Sequence, residues 1–258
     1  MNNIDLKNTA ENLIDAFLEA GKEAKKISER GVKITIKSDK SPVTDGDLAV
    51  DEILRNKITE LTPNIPIISE ETVNLNLENN EKNFWLIDPI DGTRDYIKKR
   101  DEYTLNAALI INFKPVIGIV YAPSKNRLFY SYGKNLAFEI RDGKTTRLNC
   151  KKKSFGKTIG LKNSDSFSEN ILNIYKKYNV TNTVKMSSSL KFCILAAGEA
   201  DIYAAEARAY EWDIAAGHAI LIHAGGFLTT HENKEFLYGK KNYKNLPLLA
   251  KRSLDLDT

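Results

Sequence analysis

A two-part fold, α+β over residues 1–150 and α/β over residues 151–258, is what the sequence predicts, and three observations carry the prediction. Leu13, Ile14, Phe17, Leu18, Ala24 and Ile27 recur at helical spacing near the start of the chain. Four β-prone runs between Thr104 and Ile140 are separated by turn residues, which marks an antiparallel sheet. From about residue 155, strand and helix patterns alternate as in βα units.

Taken in order, residues near 5 to 29 read as an amphipathic helix with a charged outer face, and 32–37 alternate cleanly as a strand. After a loop carrying Ser41-Pro42, Thr44 reads as an N-cap with Asp47 three residues on. That capping-box variant opens a helix through Leu61 and sets Asp47 in its first turn. Ile67-Ile68-Ser69 is a short strand that ends in Glu70-Glu71, and residues 72–83, rich in Asn and Glu, form an exposed loop. Phe84-Trp85-Leu86-Ile87 reads as a buried strand, after which Asp88-Pro89-Ile90-Asp91-Gly92 leaves the sheet in a turn. The antiparallel strands are 104–111, 115–121, 127–132 and 136–140, with Asp142-Gly143 as a turn. The second part alternates strand 158–161, helix 167–178, strand 184–186, a helix from Ser189, strand 202–204 and helix 212–224.

A chain of 258 residues buries a large core, as one two-part domain or two. The balance of 38 basic against 34 acidic residues, net +4, is too small to argue for a nucleic acid polymer as partner. Lys151-Lys152-Lys153 reads as a solvated face. The first 25 residues hold no apolar signal core and no run of 18 apolar residues occurs, so the expected location is cytoplasmic. Cys150 and Cys193, with no Cys-x-x-Cys, suit a reducing compartment and offer neither a disulfide framework nor a zinc site.

Asp88 and Asp91 stand at one strand's end and repel each other unless a cation or a proton neutralises them; hard oxygen donors at this spacing suit Mg²⁺. On those residues alone an ordinary turn is as good a reading. Two further segments bring acids to similar places: Ile67-Ile68-Ser69-Glu70-Glu71, and Tyr210-Glu211-Trp212-Asp213 ahead of the apolar Ile214-Ala215-Ala216-Gly217. Together the Glu-Glu pair, Asp88-Pro89-Ile90-Asp91-Gly92-Thr93 and Trp212-Asp213-Ile214-Ala215-Ala216-Gly217 resemble the signatures of the inositol monophosphatase superfamily of Mg²⁺-dependent, lithium-sensitive phosphatases. Within it, Ser41-Pro42-Val43-Thr44 with Asp47, and Ser188-Ser189-Leu190-Lys191-Phe192-Cys193, look most like the bacterial CysQ-type 3'(2'),5'-bisphosphate nucleotidases.

The resemblance implies an αβαβα sugar-phosphatase fold and hydrolysis of 3'-phosphoadenosine 5'-phosphate to AMP and phosphate, with two or three Mg²⁺ ions and inhibition by Li⁺. It implies a small phosphate ester as partner, a monomer or homodimer, and a cytoplasmic enzyme that in some relatives rests on the cytoplasmic face of the inner membrane. Carried residue by residue, Glu70, Asp88 and the Ile90 carbonyl match ligands of a first metal, and Asp88, Asp91 and Asp213 those of a second. Thr93 and Asp47 match the pair that orients the attacking water, and Glu70 counts with them in catalysis. Thr93 is no base unaided, so Asp47 accepts its proton or fixes its hydroxyl. The phosphoryl group would meet Glu70, Ile90, Asp91, Gly92, Thr93 and Asp213, and Ser188, Ser189 and Lys191 would meet the second phosphate or the sugar.

Singly, the same residues have plainer readings: Asp47 and Asp213 as N-caps, Glu70 as a strand end, and the Ser187 to Ser189 hydroxyls as caps of the following helix. His218, His223 and Cys193 read as packing, His231 as turn surface, and Lys98-Lys99-Arg100 as a solvated face or an anion attractor. The family's Pro-Arg dipeptide after the strand preceding Trp-Asp is missing from the matching segment Tyr203-Ala204-Ala205-Glu206-Ala207-Arg208-Ala209, where the Pro is absent and an acid has entered, and Ser187 stands where a Gly is usual. That departure touches the leaving-group pocket and leaves an inositol monophosphatase or sugar bisphosphatase as the alternative, with a non-catalytic phosphate- or RNA-binding module more remote.

Overall fold

The computed structural model describes residues 4–37, 40–75, 81–150, 157–254 and 256. The Lys151-Lys152-Lys153 run and the middle of the Asn- and Glu-rich stretch lie outside them. Helix α1 (Leu6–Arg30) is capped by Asp5, whose carboxylate accepts the Asn8 N–H, and ends at Gly31 in the left-handed region, φ 95°. Strands β1 (Ile34–Ile36) and β2 (Pro42–Thr44) pair as an antiparallel hairpin, so Ser41-Pro42 is followed directly by strand where the sequence reads as loop. Pro42 needs no ladder donor on this two-stranded edge. Helix α2 (Asp45–Leu61) carries the expected capping box: the Thr44 hydroxyl accepts the Asp47 N–H, and Asp47 accepts the Thr44 N–H at 2.8 Å.

Strands β3 (Ile67–Ser69) and β4 (Phe84–Asp91), helix α3 (Thr93–Ile97), and strands β5 (Thr104–Ile111), β6 (Lys114–Ala122), β7 (Arg127–Ser131), β8 (Ala137–Arg141) and β9 (Lys144–Arg147) follow. The strands form one seven-stranded sheet in sequence order, antiparallel except for the parallel β3–β4 pair. Exposed Lys-Thr-Thr-Arg in β9 has no apolar alternation, which is why it escaped sequence reading. β4 also departs from expectation. It runs past Asp88 to Asp91, with Asp88 opposite Asn106 and Asp91 opposite Thr104, so the chain bulges instead of turning. Pro89, which has no N–H, falls in the interrupted stretch of ladder.

The remaining elements are β10 (Thr158–Lys162), α4 (Glu169–Lys177), β11 (Val180–Lys185), α5 (Leu190–Ala196), β12 (Ile202–Ala205), α6 (Ala215–His223), β13 (Phe227–Thr230) and β14 (Leu248–Lys251). Their strands order as β11-β10-β12-β14-β13, parallel among β11, β10 and β12 and antiparallel where β14 meets β12 and β13. The sheet is mixed because β13 and β14 follow one another with only a single 3-10 turn, Lys241–Tyr243, and no crossover α-helix between them.

Layers follow from which faces are apolar. α1 and α2 cover one face of the large sheet, α5 and α6 fill the space between the sheets, and α4 covers the outer face of the small one. The order is therefore α, β, α, β, α. In β4, Trp85 and Ile87 join the core under α1 and α2 while Phe84 and Leu86 join the core around α5 and α6, so both faces demand apolar residues. At Gly118 in β6, a Cβ would lie 2.3 Å from the Ala216 carbonyl, so the α6 backbone rests directly on the sheet and fixes the turn before it. Among the described residues, no helix is long and apolar enough to cross a membrane.

Candidate active site

Three segments converge. The parallel pairing of β3 and β4 puts Glu70 beside Asp88, with the Glu70 N–H donating to the Ile87 carbonyl at 3.1 Å. Asp213 comes from the turn ahead of α6 and accepts the Tyr210 N–H at 2.8 Å. The turn is clamped by Glu211, fully buried, which accepts the Gly239 and Lys240 N–H groups at 2.8 and 2.9 Å and pairs with the Lys240 ammonium at 2.7 Å. Tyr210 stacks on Trp212 with centroids 4.7 Å apart.

Carboxylate oxygens of Glu70, Asp88 and Asp213 then lie within 4.8 Å of one another. Asp88 Oδ1 is buried with no hydrogen-bond partner. Burial lifts the Asp88 carboxyl well above the usual range, and the charges of Glu70, Asp91 and Asp213 lift it further. Asp213 is raised by burial and by Asp91 and Glu70, against the bond from Tyr210. An acceptor with no donor in a cluster of like charges is neutralised by a proton or a cation, and an all-oxygen donor set fits a hard divalent cation such as Mg²⁺.

Asp91 stands apart from this trio. Its Oδ2 accepts the Ser189 N–H at 2.5 Å, and burial raises its carboxyl to about 6 against the pull of Lys191. After it, Gly92 takes φ 96°, and Thr93 opens α3. The Thr93 hydroxyl is 3.1 Å from the Ile90 carbonyl and 3.2 Å from Asp47 Oδ1. Asp47 reaches this point from the first turn of α2, its other oxygen taking the Thr44 N–H and hydroxyl at 2.8 and 2.5 Å. Burial raises Asp47 to about 6, with the Thr44 bonds opposing and Glu70 adding.

These groups border a cavity of about 510 Å³, with Glu70, Asp91, Thr93 and Asp213 on one side and Ser188, Lys191 and Arg208 elsewhere on its lining. The substituted segment is part of the wall through Tyr203, Ala205, Glu206, Arg208 and Ala209. Ser189 departs from the expected substrate contact: its hydroxyl donates to Asn106 Oδ1 and lies 2.9 Å from Thr104 Oγ1, so it holds β5, neither lining the cavity nor capping α5. Lys98 and Lys99 are exposed, Arg100 pairs with Asp95 at 3.2 Å, and none of the three lines the cavity. His218 and His223 are buried packing residues, bonded to the Tyr238 hydroxyl at 2.8 Å and Ser131 Oγ at 3.0 Å.

Sequence reasoning passed over Lys37. From the end of β1 its ammonium reaches Glu71 at 2.8 Å and Glu70 at 3.2 Å. Burial raises Glu71 to about 7, against the Lys37 bond. A lysine closing an alternating strand carries no signal of this role until the hairpin is placed.

The model of the inositol monophosphatase family matches residues 5–252. The chain belongs to that family. It is 35% identical over 204 residues to the 3'(2'),5'-bisphosphate nucleotidase CysQ of Buchnera aphidicola subsp. Acyrthosiphon pisum, covering 79% of this chain and 76% of the relative. The crystal structure of CysQ from Bacteroides thetaiotaomicron, a bacterial member of the family, superposes with a TM-score of 0.78 at 27% identity, covering 96% of this chain and 98% of that one. A solved IMPase/NADP phosphatase complexed with Mg²⁺ and phosphate shares the fold, with a TM-score of 0.77 at 18% identity over 96% and 92% of the two chains.

Proposed function

We propose that this family member is a Mg²⁺-dependent 3'(2'),5'-bisphosphate nucleotidase, hydrolysing 3'-phosphoadenosine 5'-phosphate to AMP and inorganic phosphate. The observation that carries the chemistry is the Glu70, Asp88 and Asp213 cluster with its unpartnered Asp88 oxygen, set in a cavity of nucleotide size. The substrate comes from the likeness to the CysQ nucleotidases.

Glu70, Asp88 and the Ile90 carbonyl would hold one Mg²⁺, and Asp88, Asp91 and Asp213 another. Bound there, the ions supply neutralisation of the phosphoryl oxygens and a lowered pKa for water. The chain's own residues orient that water. The Thr93 hydroxyl donates toward Asp47 and offers its lone pairs to a water O–H, so the attacking oxygen is turned toward phosphorus. Asp47, buried and raised to about 6, takes the proton relayed through Thr93 as the new P–O bond forms and the bond to the 3' oxygen breaks. Lys191 and Ser188 border the part of the cavity that receives the rest of the nucleotide.

A second reading has one observation in its favour. Residues 203–209 wall the cavity without the family's Pro-Arg, so a sugar or inositol phosphate is the competing substrate. Phosphate release from 3'-phosphoadenosine 5'-phosphate, inositol monophosphate and fructose 1,6-bisphosphate, each with Mg²⁺, with Mg²⁺ plus Li⁺ and with EDTA, separates them. Fastest turnover of the nucleotide, lost in EDTA and inhibited by Li⁺, is expected; faster cleavage of either sugar substrate rejects the nucleotidase, and turnover in EDTA rejects the metal site.

A further inference from the structure

Two cations border the cavity along with the acids, and they are held differently. Lys191, in the first turn of α5, is buried; its ammonium donates to the Ser188 carbonyl and to the Met186 carbonyl at 3.4 Å and lies 5.2 Å from the Tyr203 ring centroid. Backbone carbonyls and a ring face fix the position of this charge, and the acids that act on it, Asp91, Glu102 and Asp213, do so at longer range, without an ion pair. Arg208, on the segment between β12 and the Asp213 turn, is exposed on the same cavity, and among the described residues its guanidinium has neither an ion pair nor a hydrogen bond. Burial brings Lys191 down to about 8; Asp91 opposes this, and Arg208 lowers it further, so the two cations feel each other. The neighbouring acid faces elsewhere: Glu206 accepts the Ser168 hydroxyl at 2.5 Å and forms no ion pair with Arg208. The backbone beyond it is pinned: the Asn245 N–H donates to the Ala209 carbonyl at 3.1 Å and the Asn245 amide to the Tyr210 carbonyl at 2.5 Å.

Two cations on the lining of one cavity, one of them with no protein partner among the described residues, favour an anionic ligand. A guanidinium with free donors is the side chain best matched to phosphate oxygens. On the reading that the substrate is a bisphosphate, we infer that Arg208, with Lys191, binds the second, non-reacting phosphate and makes the enzyme selective for bisphosphorylated over monophosphorylated esters. The reacting phosphate goes to the carboxylates, and the other is held by Arg208.

The test compares 3'-phosphoadenosine 5'-phosphate with adenosine 3'-monophosphate, which carries the same reacting ester. Arg208→Gln is expected to raise KM for the bisphosphate about 10- to 100-fold with kcat little changed, as for the loss of one charge-assisted contact. The monophosphate should change less than twofold, and Arg208→Lys should recover part of the loss. Equal effects on both substrates, no effect on either, or a wild type without preference for the bisphosphate overturns the inference. Fructose 1,6-bisphosphate against inositol monophosphate, with the same variants, separates this from failure of the nucleotidase reading. A loss confined to the sugar bisphosphate keeps Arg208 where the nucleotide falls; equal loss removes both.

Discussion

Replacing Asp88 with Asn should stabilise the metal-free protein while abolishing its response to Mg²⁺. With carboxylate oxygens of Glu70, Asp88 and Asp213 within 4.8 Å, each charged pair costs about 3.5 kcal/mol at an effective dielectric near 20. Two such pairs cost roughly 7 kcal/mol if Asp88 stays ionised. Holding a proton on Asp88 at pH 7 instead costs about 4 kcal/mol relative to an ordinary aspartate. The cheaper route wins, so the metal-free fold carries a penalty of about 4 kcal/mol that Asn, neutral at every pH, does not incur. Imperfect hydrogen bonding of the new amide takes some of that back, leaving a gain of roughly 2–3 kcal/mol. For a chain of this size that is a rise of about 5–10 °C in Tm. Scanning calorimetry in EDTA and then in increasing Mg²⁺ measures both halves. The wild type should climb with Mg²⁺ by mass action, and Asp88→Asn should start higher, stay flat and release no phosphate. A variant that melts lower than wild type in EDTA, or climbs with Mg²⁺ as the wild type does, would refute the reasoning.

Thr93→Ala and Asp47→Asn should each lower kcat by about 10²-fold or more with KM nearly unchanged, since both act on the attacking water; steady-state kinetics showing a KM defect alone would move them into substrate binding. The pH dependence of the metal-free protein has a stated sign. Asp47, raised from 3.8 to about 6, binds more protons folded than unfolded between those values, so its contribution of about 3 kcal/mol is present at pH 4 and lost by pH 7. His218 and His223, lowered by burial to about 3 and about 4, act in the opposite sense, gaining stability as pH rises toward 6.5. The difference between wild type and Asp47→Asn in urea titrations cancels the histidines; the variant's advantage should grow from pH 4.5 to 7, and a constant difference would contradict the assignment. Gly118→Val should cost about 2–4 kcal/mol and disproportionately depress activity, because the side chain drives α6 off β6 and carries Asp213 with it; melting and turnover measured together check this, and full activity in the surviving fold would show that α6 does not set Asp213.

The acids were legible because short-range rules already constrain them. A capping box places Asp47, an apolar run ending in acid places Glu70 and Asp88, and a glycine after Asp91 marks the end of β4. The bulge was not legible, since whether Asp88-Pro89-Ile90-Asp91 turns or stays in the sheet depends on β5, which supplies Asn106 and Thr104 opposite it. Nor was the role of Ser189. Its position ahead of α5 favours a cap, and only the packing of α5 against β5 shows the hydroxyl committed to Asn106. β13 and β14 were missed as short strands with no α-helix separating them, and Lys37 as a lysine whose partners lie more than thirty residues away. In each case the missing term was long-range pairing, which no local periodicity encodes.

On the proposed function, that division between local and long-range determination lets metal chemistry and substrate choice vary separately in this chain. Glu70 at the end of β3, Asp88 within β4 and Asp213 ahead of α6 are fixed by pairing of β3 with β4 and by α6 resting on Gly118, so moving any one requires moving a layer of the core. Arg208 and Glu206 sit on a connecting segment held by Asn245 and Ser168, where a substitution reshapes the cavity at no cost to either sheet. The electrostatics point the same way. A carboxylate cluster repels a phosphate ester until cations reverse its sign, whereas Lys191 and Arg208 attract one in either state. On the proposed reading, the acids set which bond is broken, and the segment from Tyr203 to Ala209 sets what is attached to it.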